Sequence, residues 1–69
     1  TNNKMTADNF KRVTNALMVA DHEFGKQVIH RLQLAWLEAN DDYIAERTSE
    51  HAKELMGKMV FIEEMLGID

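Results

Sequence analysis

The sequence predicts an all-α fold, a small two- or three-helix unit with a long C-terminal helix. Three observations carry this. Apolar residues recur at three- and four-residue steps along most of the chain. There is no proline to interrupt them. No Val/Thr/Tyr-rich alternating run or Asn-Gly turn gives a strand any support.

The first helix is expected over 7–19. Thr6 is its N-cap, and Asp8 in the first turn suits the positive end of the helix dipole. Phe10, Val13, Leu17 and Ala20 share one face. Asp21 and Glu23 read as a second cap with an acidic first turn, so a second helix is expected over 22–39. One helix running through Ala20 is the alternative, because the spacing continues through Phe24, Val28, Leu32, Ala35 and Ala39. Leu34, Ala35, Trp36 and Leu37 are consecutive, so this helix is apolar all round near its end and should be covered on several sides.

Asn40-Asp41-Asp42 reads as the third start, with a capping side chain followed by carboxylates. Ile44, Thr48, His51, Leu55, Met59, Ile62 and Leu66 then hold a helical spacing, so the third helix is expected over 41–66, about 39 Å long. Gly67 is the expected left-handed stop, with Ile68 folding back on Ile62. Residues 6–69 read as one helical domain and 1–5 as a disordered lead. Thr1-Asn2-Asn3 looks like a tag remnant or cut site.

Sixty-nine residues make a thin core, and chains of this size usually need reinforcement. The sequence has no cysteine, so disulfides and thiolate zinc sites are excluded. Completion by homodimerisation is the expectation that is left. No apolar run reaches the roughly 18–20 residues of a membrane span, and no secretory signal pattern opens the chain. The expected location is cytoplasmic, with no membrane partner.

Two surfaces stand out. Met56, Met59 and Met65 join Leu55, Val60, Phe61, Ile62 and Leu66 in a set too wide for one neighbouring helix. Polarizable Met side chains suit adaptable contacts, so Leu34, Trp36, Leu37, Met56, Met59, Val60 and Phe61 are the expected interface. Asp42, Glu46, Glu50 and Glu54 follow at i, i+4 spacing and would form an acidic ridge. That ridge opposes its own helix by about 0.2–0.5 kcal/mol per pair. The bland readings are a core with a dimer seam and a solvated face, respectively.

Catalysis, cofactors and metals find no footing. No Gly-rich phosphate loop or nucleophile–base arrangement occurs, and His22, His30 and His51 lack metal-ligand spacing. His51 falls on the apolar stripe and reads as a buried hydrogen-bonded group or an interface pH switch. The net charge of −4 argues against general nucleic-acid binding. The expected function is therefore that of a small regulatory or adaptor protein. It would bind another protein, one with a basic surface, and self-associate through the Met-rich face. The alternatives are an acidic inhibitor that mimics phosphate charge at a nucleic-acid-handling enzyme, and a small helix-turn-helix DNA-binding regulator.

Overall fold

In the computed structural model, residues 5–21, 23–46 and 48–68 are described. Residues 1–4, His22, Arg47 and Asp69 lie outside the described residues, and with them the expected disorder of 1–4 and the expected helix start at 22. Three helices follow in order: α1 (Ala7–Val19), α2 (Glu23–Ala45) and α3 (Ser49–Met65). No strand occurs among the described residues. Both α1 and α3 pack on α2. Phe10 stacks on Trp36 and Thr14 meets Gln33, so α1 runs antiparallel to α2.

Helix α1 begins and ends as its sequence predicts. The Thr6 hydroxyl accepts from the Asn9 N–H at 3.2 Å, satisfying one orphan donor of the first turn. Met5, expected in the lead, is partly buried against the core cluster that contains Phe10. The two stand at the N′ and N4 positions of a hydrophobic staple, which holds the chain at the helix entry. A turn at Ala20–Asp21 separates α1 from α2, so the helices are not continuous.

The main correction concerns the third helix. It starts at Ser49 instead of 41, and α2, with 23 residues, is the longest element. Asn40-Asp41-Asp42 does not break the chain, because the buried face of Trp36, Ala39 and half-buried Tyr43 runs straight through it. Packing outweighs the turn preference of these residues. The break falls at Glu46–Thr48. Thr48 is extended (φ −77°, ψ 138°) and caps α3 by position only, without a side-chain bond. Glu46 supplies the bonds instead: its Oε1 accepts from the Thr48 N–H at 3.1 Å, and its Oε2 lies 2.8 Å from His51 Nδ1.

The end of α3 is as expected. Gly67 has φ +73°, Gly67 N–H bonds to the Glu64 carbonyl, and Ile68 N–H bonds to the Glu63 carbonyl. This pair of bonds is the Schellman arrangement, and it turns Ile68 into the same core cluster as Ile62.

The core centres on Phe10 and Trp36, both fully buried, with ring centroids 4.2 Å apart and planes 9° from parallel. Ala39, Leu55, Met59, Ile62 and Ile68 complete the cluster. The α2 face differs from the expected one. Ile29, Gln33, Trp36 and Ala39 are buried, whereas Phe24 and Val28 lie exposed. The consecutive apolar residues Leu34–Leu37 leave the rotation of α2 ambiguous, and two polar pairings settle it. Gln33 Nε2 donates to Thr14 Oγ1 at 2.6 Å and to Asn15 Oδ1 at 3.0 Å, while Thr14 donates to the Phe10 carbonyl at 2.7 Å. Trp36 Nε1–H donates to Glu63 Oε2 at 2.8 Å, with both side chains buried. No described buried side-chain nitrogen or oxygen lacks a partner, as native interiors require.

Candidate interaction surface

Eight apolar residues are buried among those described, and eight large apolar residues stand exposed: Val19, Phe24, Val28, Leu34, Ile44, Met56, Phe61 and Met65. Single exposed apolar residues are ordinary, so their grouping decides whether they matter. Phe24, Val28 and Met65 line one groove of about 440 Å³ together with Leu17, Asp21, Gly25, Ile29, Leu32 and Leu66. All three helices contribute to it, because antiparallel packing sets the N-terminal turns of α2 beside the C-terminal turns of α3. Phe61 stands one helical turn before Met65 on the same flank of α3 and extends the apolar surface. Asp21 is the one charged residue lining the groove.

The expected interface is divided by the fold. Trp36 and Met59 are core residues, so their place among the contact residues is corrected. Trp36 is the largest side chain of the core, and Met59 lies on the α3 face turned towards it. Leu37 and Val60 are half-buried, and Leu37 packs against the core. Leu34, Met56 and Phe61 are exposed. At 100° per residue, Met56 and Val60 fall on the flank of α3 opposite Phe61 and Met65. Met56 instead lines a separate hollow of about 340 Å³ with Tyr43, Ser49, Ala52 and Lys53.

Phe24, Val28 and Gly25 were not among the expected interface residues, since the spacing placed Phe24 and Val28 in the core. The missed signal was Trp36. Counting back from this residue in helical steps gives 33, 29 and 25 as the inward positions and leaves 24 and 28 on the flank.

The acidic row is also rearranged. Asp42 lies near the end of α2, Glu46 in the turn, and Glu50 and Glu54 on α3, so no continuous ridge exists. A carboxylate corner replaces it. Glu46, Glu54 and Asp42 all act on His51, and their pull raises its pKa above 6.5. The hydrogen bond from the His51 ring to the Glu46 carboxylate is the largest cause, and desolvation opposes it. His51 is half exposed, not buried as the apolar spacing predicts, because α3 has only just begun there. The shallow hollow at this corner is lined by Asp42, Ala45, Glu46 and His51.

Among the described residues no group of His, Cys, Asp or Glu is placed to hold a metal ion. None of the described helices is long and apolar enough to cross a membrane. The chain matches no known protein-family model, no curated protein and no solved structure.

Proposed function

We propose that this protein is a small interaction module that acts by binding protein chains, copies of itself included, as a regulatory or adaptor subunit. The observation that carries the reading is the apolar groove between α1, α2 and α3, whose rim residues Phe24 and Met65 are more than half exposed. Aromatic and Met side chains around a concave apolar floor are what interface centres are made of. The Asp42–Glu46–Glu54 corner supports a steering role, in which a basic partner is attracted by charge and then held by apolar contact. The phosphate-mimic alternative depends on an unbroken row of four carboxylates along one helix, and that row is divided between the end of α2 and the start of α3. Steering is therefore the role we retain.

The test pairs two variants with the native chain in affinity capture from its own host, followed by reconstitution with each purified partner. One variant carries Phe61→Ser and Met65→Ser, the other Asp42→Asn and Glu54→Gln. The expected result is a partner lost by the apolar variant, and bound more slowly and with less salt dependence by the neutralised one. A chain that reconstitutes with no protein, or whose binding neither variant alters, would refute the reading.

A further inference from the structure

We infer that the groove is filled by a second copy of this chain, docked across a two-fold axis so that Phe24 of each copy enters the groove of the other; this rests on the protein-binding reading above. Phe24 is 81% exposed in the first turn of α2 and stands at the rim of the groove itself. Knob and hollow thus share one patch. An isologous contact needs that arrangement, because the same surface must serve both sides.

The area agrees with this occupant. Phe24, Val28, Phe61 and Met65 are 81%, 42%, 60% and 56% exposed. With about 150–200 Å² for each open side chain, they leave roughly 450 Å² of apolar surface uncovered, within the range of the largest patch on a monomer. Two copies bring about 900 Å² together. At the roughly 60% apolar share of interfaces, that corresponds to about 1,500 Å² of total burial, the size of a standard stable interface.

Charge near the contact is limited to a few groups, although each copy carries −4 and brings Asp21 to the groove lining, so the pairing rests on apolar contact. Glu23 and Lys26 pair with each other beside the groove at 3.8 Å. Asp42 lies 18 residues along α2 from Phe24, about 27 Å away, several Debye lengths at physiological salt. A two-fold axis at the groove keeps the acidic corners at the far ends of the dimer, where they remain open to a different partner.

Sedimentation equilibrium of the full chain across a wide concentration range, with amide NMR over the same range, tests the inference. The expected result is reversible dimerisation, with concentration-dependent shifts at Leu17, Val28 and Met65. Phe24→Glu should raise the dimer dissociation constant by roughly 100-fold or more, because a two-fold contact loses its anchor twice. Ile44→Glu, on exposed surface outside the groove, should leave it unchanged. Circular dichroism checks that helicity is retained; if Phe24→Glu loses it, Val28→Glu carries the same test. A native chain that stays monomeric throughout overturns the inference, as does a dimer that survives Phe24→Glu or maps to Ile44 and Met56. A monomer that still binds another protein through Phe61 and Met65 overturns the second-copy occupant alone and leaves the interaction reading standing.

Discussion

Replacing Glu63 by Leu removes the acceptor of the Trp36 indole N–H, and the structure sets the size of the effect. The bond is 2.8 Å long, both side chains are buried, and the donor would be left inside the core without a partner. An unsatisfied buried donor costs about 1–3 kcal/mol, and a chain of this length has roughly 3–10 kcal/mol in total. A loss of about 2 kcal/mol should lower Tm by roughly 8–16 °C. Glu63 takes part in further interactions, so the single substitution measures more than the indole bond. A double-mutant cycle with Trp36→Phe isolates that bond: in the Trp36→Phe background, Glu63→Leu should cost at least about 1 kcal/mol less. Glu63→Gln, which keeps a carbonyl acceptor, should fall between the native chain and Glu63→Leu. Thermal and urea unfolding followed by circular dichroism give the values, at one fixed chain concentration because self-association stabilises by mass action. A coupling energy near zero would refute the claim that this bond helps to lock α3 on α2.

Two further substitutions test other parts of the fold. Gly57 lies inside α3, and a Cβ built there meets nothing within 4 Å, so Gly57→Ala should stabilise by about 0.5–1 kcal/mol. A higher urea midpoint with unchanged slope is the expected readout, and a lower one would mean that this face is packed against something. His51 has a folded pKa raised above 6.5, chiefly by Glu46, so its contribution is fully present below about 6.5 and is lost as pH rises through the folded value. Glu46→Gln should bring the NMR titration of the His51 ring back towards the ordinary value. An unmoved midpoint would show that the α2–α3 turn is not tied as described.

Helix existence and the outer ends were legible because their causes are local. Thr6 caps α1 through a side chain three residues from its donor, and Gly67 takes a positive φ that few other residues tolerate. The internal break was misplaced because the strong local start signal lies within a helix that packing carries through. Asn40-Asp41-Asp42 carries the stronger local signal, but Trp36, Ala39 and Tyr43 bind that stretch into a continuous buried face. Thr48-Ser49, expected in mid-helix, becomes the start, where Glu46 reaches both the Thr48 N–H and His51. The carboxylate row read along one helix was therefore a corner between two.

The sequence by itself determined an all-helical chain, the ends of α1, the glycine stop after α3, and an excess of apolar residues over what a core this small can cover. Each of these depends on composition or on neighbours within a few residues. Only the tertiary structure decided which apolar residues are the excess. Gln33 meeting Thr14, and Trp36 meeting both Phe10 and Glu63, fix the rotation of α2. That rotation puts Trp36 and Met59 inside and leaves Phe24 and Val28 at the rim of the groove. A stretch such as Leu34–Leu37 that is apolar on every side has no preferred face of its own, so partners 19 to 27 positions away in the chain make the choice.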